Sequence, residues 1–406
     1  MKKSKDILMP VNVAGLKFKN PFIVGSGPTA KWIEQLIEAE EVGWGGMSIK
    51  LTMDPDPYIN PAPRYRWFKD RNFHIFTSEH RLIFAEGLRL VEKGRKKTKD
   101  IIIFANIAYS GDRGLAGWEN MARKFEGAGA DAIELNFCCP NMSFSQEQVG
   151  KSKKGRPVSG ASLGTNPEIV GKAVKSIVSC VGIPVFAKIT PEGGNIGDVA
   201  KAAVSNGAAG ISSVSNRTGT PPFDINRVDM STYWLQEGFS LGCMSGPWLK
   251  PLAQKDVFQI RKAIGPEPAI IGLGGVQNYV DSIEMAMVGA DLIGICTETM
   301  LRGFGILPKI IRGIKEYINR TNSKSFSELR DRMIPYLLSA DGLKTLPGHA
   351  IVDRELCIGC GKCLKIGHCN AIELKDKKAY IKAEQCLGCS TCTDICPENA
   401  IAMKSI

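Results

Sequence analysis

Eight of the thirteen cysteines lie in two short runs near the C-terminus, and their spacing is that of iron–sulfur ligands. The second run, from Cys386 to Pro397, reads C-x2-C-x2-C-x3-C-P, which is the bacterial ferredoxin signature. The first run departs from it once, because its fourth cysteine, Cys369, follows after five residues and precedes Asn370. Four thiolates must converge on each cubic cluster, and C-x2-C-x2-C supplies three of them. The two runs therefore predict two [4Fe–4S] clusters.

The order of the cysteines also predicts which of them share a cluster. In ferredoxins with two clusters, the fourth cysteine of each run binds the cluster of the other run. We therefore assign two mixed sets of ligands, namely Cys357, Cys360, Cys363 and Cys396 for one cluster, and Cys386, Cys389, Cys392 and Cys369 for the other. Zinc is the alternative, because C-x2-C pairs also build zinc ribbons. Two complete quartets favour iron, and their placement indicates cytosolic metal binding, not a secreted disulfide scaffold.

Electrons from these clusters need an acceptor, which the rest of the chain must position. The alternation of predicted strands and helices in that part of the chain is typical of a barrel. Short apolar runs predict strands at 22–25, 47–50, 101–107, 132–136, 184–188, 210–215, 269–272 and 291–296. Helical stretches alternate with them, for example at 117–127, 168–181, 196–206, 256–264 and 279–288. Eight β/α repeats with continuously apolar strands are typical of a parallel (β/α)8 TIM barrel, whose N-terminal end a hairpin at 9–21 would close.

The alternative fold is an open doubly wound sheet, which would need a G-x-G-x-x-G motif after an early strand. The nearest candidates, at 25–27 and 272–275, do not fit that motif, so no dinucleotide-binding Rossmann domain is predicted. We expect the barrel to span 1–320, a helical linker 321–348, and a small α+β ferredoxin-like domain with two clusters 349–406. An internal repeat supports this last domain, because Asn-Ala-Ile follows each cysteine run.

Four positions suggest that the barrel binds an anionic cofactor. TIM barrels bind phosphate at the loops after strands seven and eight, which here hold Gly274-Gly275 and Cys296-Thr297. Lys50 and Lys188 are at the ends of predicted strands, and a buried lysine at such a position usually pairs with an anion. A reduced flavin carries negative charge that a fixed ammonium would stabilise. A lysine that reaches out to water is the alternative for either position.

Strand four ends in a motif that resembles a known family. Residues 134–141 read E-L-N-F-C-C-P-N, where the dihydropyrimidine dehydrogenase and class 1 dihydroorotate dehydrogenase family has L-N-x-S-C-P. The resemblance covers most of residues 9–310 and includes N-P-F at 20–22, N-P-A-P-R-Y at 60–65 and F-A-K-I-T-P at 186–191. The appended cluster module is similar to that of bacterial dihydropyrimidine dehydrogenase subunits, which carry FMN and iron–sulfur.

The resemblance implies an FMN cofactor and assigns roles around it. It implies that Cys139 donates or accepts the substrate proton, opposite the flavin N5. It also implies that Asn136, Asn141 and Asn216 bind polar edges of flavin or substrate. To the lysines and loop residues already named it adds cofactor-binding positions in two further stretches, Gly25 and Ser26, and Ser245 and Gly246. A thiol with a reference pKa of about 8.5 is protonated at neutral pH yet able to exchange its proton during turnover.

Substrate recognition is where the sequence departs from these relatives. The pyrimidine enzymes have an asparagine in the loop after strand three, where this chain reads A-Y-S-G-D-R at 108–113, and a threonine where it has Arg217. We hypothesise that Arg217 binds a carboxylate or another anion; a solvated loop arginine is the alternative. Reduction of uracil or thymine is the leading prediction. The alternatives are another cyclic, possibly anionic, substrate, dihydroorotate oxidation, or a non-catalytic electron-transfer subunit.

Bulk composition limits the partners. The formal charge of +11 is spread along the chain without aromatic interleaving, so nucleic-acid binding is not expected. No apolar run approaches the roughly 20 residues of a membrane span, and no apolar signal core follows the charged start, so we expect a cytoplasmic protein. Without a dinucleotide-binding domain, NAD(P)H would be used by a separate subunit, which in the resembling bacterial system carries FAD. We therefore expect an oligomer that acts on a small cyclic substrate.

Overall fold

The computed structural model describes residues 9–57, 60, 62–138, 161–192, 194–214, 216–238 and 240–406. Its internal contacts divide the chain into two compact units, Met1–Tyr336 and Leu337–Ile406. The described strands of the first unit are, in chain order, β1 (Val11–Val13), β2 (Leu16–Phe18), β3 (Phe22–Val24), β4 (Gly46–Ser48), β5 (Thr52–Asp54), β6 (Arg64–Phe68), β7 (Phe73–Ser78), β8 (Leu82–Ile83), β9 (Ile102–Tyr109), β10 (Ala132–Asn136), β11 (Val185–Ile189), β12 (Gly210–Val214), β13 (Arg217–Gly219), β14 (Gly242–Ser245), β15 (Ala269–Leu273) and β16 (Leu292–Ile295).

Helices follow the barrel strands, as the alternating pattern predicts. The described α-helices of this unit are α1 (Ile33–Val42), α2 (Phe84–Lys97), α3 (Leu115–Gly127), α4 (Ala161–Gly164), α5 (Pro167–Val178), α6 (Ile196–Ser205), α7 (Lys250–Ile264), α8 (Tyr279–Met287), α9 (Thr297–Arg302) and α10 (Leu307–Arg320). The predicted helix at 256–264 begins six residues earlier, at Lys250. Pro251 explains this start, because a proline in the first turn loses no helical hydrogen bond.

Eight parallel strands close into the predicted barrel. They pair in the order β3, β4, β9, β10, β11, β12, β15 and β16, and β16 returns to β3 through the register Ile293 to Phe22. Every predicted barrel strand is confirmed within about two residues at each end, and β10 has the predicted bounds. The hairpin β1–β2 is confirmed as well. The antiparallel sheet β13-β14-β7-β6 was not predicted, because its strands are short and lack a clear apolar alternation.

The interior of the barrel changes from apolar to polar along its axis. Phe18 from the hairpin stacks on Phe104 with ring centroids 6.2 Å apart, and Phe104 meets Phe186 at 5.3 Å. Side chains alternate along a strand, so two residues further on β11 the same face presents Lys188. On β10 that face presents Glu134, whose Cα is in register with that of Phe186. The hairpin therefore fills the N-terminal end, and polar groups occupy the C-terminal end.

The second unit is small and is built around its cysteines. It contains β17 (Gly348–Val352), β18 (Ile372–Lys375), β19 (Lys378–Ile381), β20 (Ile401–Ser405) and the helical turn α11 (Thr391–Asp394). Strand β17 pairs antiparallel with β20, and β18 pairs antiparallel with β19. Three of the eight fully buried residues of its core are cysteines. Residues 321–348, predicted as a helical linker, hold three short 3-10 turns.

Candidate functional site

A cavity opens at the carboxyl ends of the barrel strands. Its space, counted together with the solvent in its open mouth, is about 1140 Å³. The structure brings these sequence-predicted residues to its wall: Ser26, Lys50, Asn136, Lys188, Asn216, Ser245, Gly246, Gly274, Gly275, Cys296 and Thr297. Gly25 does not line the cavity; its N–H donates to the carbonyl oxygen of Ile295 at 2.8 Å, which ties the first barrel strand to the last.

Glycines let the loops on one side of the cavity pack closely. A Cβ atom at Gly27, in the loop after the first barrel strand, would overlap the sulfur of Cys296, which follows the last barrel strand. Gly275 has φ of +72°, a conformation that favours glycine, and a Cβ there would lie 2.6 Å from the Lys250 nitrogen. These loops therefore need glycine for their backbone path and for their close contact with neighbouring segments.

Lys188 belongs to a buried ion pair beneath the cavity. Its Nζ lies 3.4 Å from Oε2 of Glu134, and both side chains are at most 4 % exposed. Ser48 and Asn106 donate hydrogen bonds to the same carboxylate oxygen. Burial raises the pKa of Glu134, but the Lys188 charge and these hydrogen bonds outweigh it, so the pKa lies below its ordinary value. Burial lowers the pKa of Lys188, and the Glu134 charge more than restores it.

The same network orients Asn136. Asn106, which donates to Glu134, accepts a hydrogen bond from Nδ2 of Asn136 at 2.9 Å. Oδ1 of Asn136 then accepts from the backbone N–H of Cys138 at 3.2 Å and from its thiol at 3.4 Å. The amide of Asn136 is thus held in one orientation at the cavity wall, with each end tied to a different neighbour.

Lys50 belongs to a second buried pair, which was not foreseen. Its Nζ lies 3.3 Å from Oε2 of Glu79, and the two side chains are 8 % and 6 % exposed. The Tyr65 hydroxyl lies 2.8 Å from both oxygens of that carboxylate. Unlike Glu134, Glu79 lines the cavity itself, together with Tyr65 and Arg81. Each lysine that faces the cavity is therefore matched by its own buried glutamate.

His74 completes the wall formed by β7 and β14. Its Nδ1 lies 3.1 Å from Oγ of Ser245, which also receives a hydrogen bond from Thr297 at 3.3 Å. Burial lowers the pKa of His74 to about 4, although the nearby Glu79 acts in the opposite direction, so the ring is neutral at pH 7. Burial raises the pKa of Cys296, against the lowering effect of Lys50 and Lys188. The thiol is therefore protonated at neutral pH.

Three predicted substrate or catalytic residues are not placed at the cavity. Cys139 and Asn141 lie outside the described residues. Arg217 is described, but it forms a salt bridge of 3.0 Å to the buried Asp256 and does not line the cavity. The cavity arginine is instead Arg81, which follows β7.

Sequence reasoning missed the carboxylates and their donors. Glu134 carried a usable signal, because a charged residue within a strand predicted to be buried on both faces must find a partner. Glu79, Tyr65 and His74 carried no such signal, since they lie on the unpredicted sheet or just after it. Their position at the cavity depends on how that sheet folds over the barrel.

The second unit gathers its cysteines around two separate cavities. One is lined by Cys357, Cys360, Cys363 and Cys396, and the other by Cys369, Cys386, Cys389 and Cys392. These are the two mixed sets that the order of the runs predicts. Within the described residues, no three His, Cys, Asp or Glu side chains are arranged to hold a single metal ion.

Hydrogen-bond donors reach several of these sulfurs. Backbone N–H groups of Ala350, Ala379 and Ala400 lie 3.3 to 3.5 Å from the sulfurs of Cys386, Cys357 and Cys396. Nε2 of His368 lies 3.4 Å from Sγ of Cys389. Donors to cluster sulfurs tune the reduction potential of a bound cluster. The quartets therefore have both the ligands and the surrounding donors of a cluster site.

Across the described residues, no helix is both long and apolar enough to cross a membrane.

Comparison with protein families agrees with both sites. The dihydroorotate dehydrogenase family matches residues 8–318, and the 4Fe-4S dicluster domain family matches residues 350–403. Together they account for most of the chain.

Individual relatives include dehydrogenases of dihydropyrimidines and of dihydroorotate. The chain is 27 % identical to the NAD-dependent dihydropyrimidine dehydrogenase subunit PreA of Escherichia coli, over 87 % of this chain and 84 % of that protein. It is 30 % identical to the catalytic subunit of dihydroorotate dehydrogenase B (NAD(+)) of Pyrococcus abyssi, over 79 % of this chain and 98 % of that protein. The ligand-free dihydroorotate dehydrogenase of Eimeria tenella shares the fold, with a TM-score of 0.65 at 17 % identity, covering 82 % of this chain and 93 % of that structure.

Proposed function

Because the chain belongs to the dihydroorotate dehydrogenase family of FMN-binding oxidoreductases and carries a domain for two [4Fe–4S] clusters, we propose that it reduces a C=C bond of a small cyclic substrate. The substrate we propose is a pyrimidine, uracil or thymine, which becomes the 5,6-dihydropyrimidine. The observation that carries the proposal is the presence, in one chain, of two cysteine quartets and a barrel cavity lined by two lysines. The printed name of the Escherichia coli relative supports the pyrimidine.

The cavity residues fit an FMN. Gly27 and Gly275 line the cavity without side chains, so their backbone is open to a ligand, and Lys50 and Lys188 provide cationic groups for an anionic ring and phosphate. We propose that the wall residues Ser26, Ser245, Gly246, Gly274, Cys296 and Thr297 hold it together with them. Gly25, which does not line the cavity, would act only through the backbone that leads into this loop. When bound, the flavin supplies the hydride for one alkene carbon. The protein contributes orientation, fixed charge and the proton.

The proton is assigned to Cys139, on the strength of the motif at 134–141. Asn136, Asn141 and Asn216 would bind the polar edge of the substrate ring. The fixed orientation of the Asn136 amide supports this role, because an amide that is already held in place loses little freedom when it binds a ligand.

In the second unit we propose that each cysteine quartet lining one cavity binds one cluster. A separate subunit that binds FAD and NAD(P)H would deliver the electrons, so the working enzyme is an oligomer, and we place it in the cytoplasm. The Escherichia coli relative is itself called an NAD-dependent subunit, which supports a shared assembly.

The first test is the composition and reactivity of the chain purified without air. We expect one FMN and about eight iron and eight sulfide per chain. Dithionite or reduced viologen should drive the reduction of uracil or thymine, whereas NADH alone should give no turnover. A colourless chain without iron and flavin would refute the proposal. Absence of turnover with both pyrimidines would refute uracil and thymine as substrates but would not contradict the proposed FMN and clusters.

The second test concerns the acid. Cys139→Ala should retain flavin and iron and slow substrate reduction by about 100-fold or more, the usual contribution of a general acid. Cys180→Ala is the control, because Cys180 lies outside the cavity, between α5 and β11. Undiminished turnover by the Cys139 variant would mean that another group supplies the proton.

A second candidate substrate is a ring that bears a carboxylate. Arg81, which lines the cavity and is 7 % exposed, favours it, since a guanidinium pairs well with a carboxylate. Steady-state kinetics with uracil, thymine, orotate and a panel of cyclic enones separates the two candidates. Turnover of orotate or another acid in preference to the neutral pyrimidines would select the second.

A further inference from the structure

The two lysines of the cavity are paired with carboxylates of different kinds. Glu134, the partner of Lys188, lies beneath the cavity, does not line it and accepts further hydrogen bonds from Ser48 and Asn106. Glu79, the partner of Lys50, lies on the cavity wall itself. A carboxylate at the wall of a site for an anionic ring is electrostatically unfavourable, so its presence there needs an explanation.

The carboxylate of Glu79 is held rigidly in this position. The Tyr65 hydroxyl lies 2.8 Å from both of its oxygens. The Tyr65 ring is packed in turn against His74 and Phe76, with centroid distances of 5.4 and 5.9 Å. The carboxylate therefore has a defined position at the cavity wall.

The lysine opposite is fixed as well. The backbone N–H of Lys50 donates to the carbonyl oxygen of Ala30 at 2.6 Å, and its side chain is 8 % exposed. His74 is neutral at pH 7, because burial lowers its pKa to about 4, so it adds no positive charge beside Glu79. Arg81 also lies beside Glu79, but its Nη1 donates to the backbone carbonyl oxygen of Glu79 at 3.4 Å, whereas the ion pair with the carboxylate is made by Lys50.

We propose that Glu79 is a positioning residue for Lys50: it holds the ammonium at the cavity wall and offsets its charge, and so limits how strongly the site favours reduced flavin. This inference rests on the FMN of the proposed function. Reduction adds negative charge to the flavin, and a cation that is already partly compensated stabilises that charge less than a free one. The pair thus keeps the flavin a sufficiently strong reductant to pass its electrons to a substrate.

The test is the midpoint reduction potential of FMN in the full chain with its clusters, measured by spectroelectrochemical titration. Glu79→Gln keeps the size and an acceptor but removes the charge. We expect its midpoint to become more positive, with an equilibrium constant for flavin reduction raised on the order of tenfold. Lys50→Gln should shift the midpoint in the opposite direction. The double variant should lie between the two, near wild type.

Two control variants separate charge from hydrogen bonding and from position. Tyr65→Phe removes the hydroxyl but keeps both charges, so its midpoint should stay close to that of wild type. Glu298→Gln removes another carboxylate of the same cavity, whose partner Arg302 is 61 % exposed. The Glu298 side chain is itself buried, but its ion-pair partner Arg302 does not line the cavity, so the variant leaves the Lys50 pair intact and we expect a smaller shift than for Glu79→Gln.

An unchanged midpoint in Glu79→Gln with FMN bound, or a shift no larger than that of Glu298→Gln, would overturn the inference while leaving the proposed function intact. If Glu79→Gln does not fold, Lys50→Gln decides, since an unchanged midpoint there also overturns it. A wild-type chain without FMN would overturn both the proposed function and this inference.

Discussion

The two cofactor sites of this protein are assembled in opposite ways. Each cluster site takes three ligands from one run of seven residues and a fourth from the neighbouring run. The barrel cavity takes its wall from residues between Ser26 and Met300, which meet only because eight strands close. The cluster unit also uses its ligands as core, whereas most residues of the large apolar core of the barrel do not line its cavity. We therefore expect the cluster unit, whose ligands lie close together in sequence and form its core, to depend on its cofactors for stability. We do not expect this of the barrel, whose cavity is formed by residues distant in sequence.

Removal of the clusters should have the largest effect and tests this contrast directly. Cys357, Cys363 and Cys392 are among the few buried residues of the second unit, so chelation of iron leaves that core without its centre. We expect loss of protection from hydrogen exchange throughout 337–406. Amides of β9 to β11 serve as the control and should remain protected. Retained protection in the cluster unit would contradict the contrast.

The barrel should instead be sensitive to its buried ion pairs. Glu134→Ala leaves Lys188 as an uncompensated buried charge, and we expect a loss of roughly 3 to 5 kcal/mol in the free energy of unfolding of the barrel. Denaturant titration of the FMN-free chain measures it. The double variant with Lys188→Met removes both charges and should recover part of the loss. If the double variant is less stable than the single one, the two side chains are not coupled as an ion pair.

His74 should make the barrel less stable in mild acid. Its pKa of about 4 lies below the value of about 6.5 in the unfolded chain, so between these pH values only the unfolded state binds the proton. Stability must then rise with pH across this window, by about 3 kcal/mol in total. His74→Gln keeps a polar side chain but cannot titrate there, and should lose this part of the pH dependence. An identical pH profile in both proteins would show that His74 does not carry it.

Arg217 should give the smallest effect. Its guanidinium lies 3.0 Å from Asp256, which is also within 3.1 Å of Lys255, so one cation remains when Arg217→Met removes the other. Because Asp256 is buried but keeps Lys255 as a partner, we expect a loss of about 2 kcal/mol in unfolding free energy, and little change in KM. Arg81→Met, on the cavity wall, should raise KM if the substrate is anionic. A large rise in KM for the Arg217 variant would restore it as a substrate residue.

The barrel strands and the cluster ligands can be predicted from local sequence pattern. The regular alternation of apolar runs with helical segments predicts the ends of each barrel strand within about two residues, because a strand buried on both faces must be apolar throughout. Cysteine spacing predicts the quartets that line each small cavity, because C-x2-C-x2-C already sets the geometry of three ligands. Lys50 and Lys188 were identified because a buried lysine needs a negative partner.

The negative partners of these lysines become apparent only in the folded chain. Glu79 reaches Lys50 because the β7 strand turns over the barrel mouth, and no periodicity along the chain specifies that path. Arg217 follows a predicted cavity residue, yet its side chain pairs with Asp256 on helix α7. Contacts between residues distant in sequence depend on the closure of the barrel and the packing of its loops. Local sequence pattern can therefore identify the buried charged groups but cannot predict which of them form ion pairs.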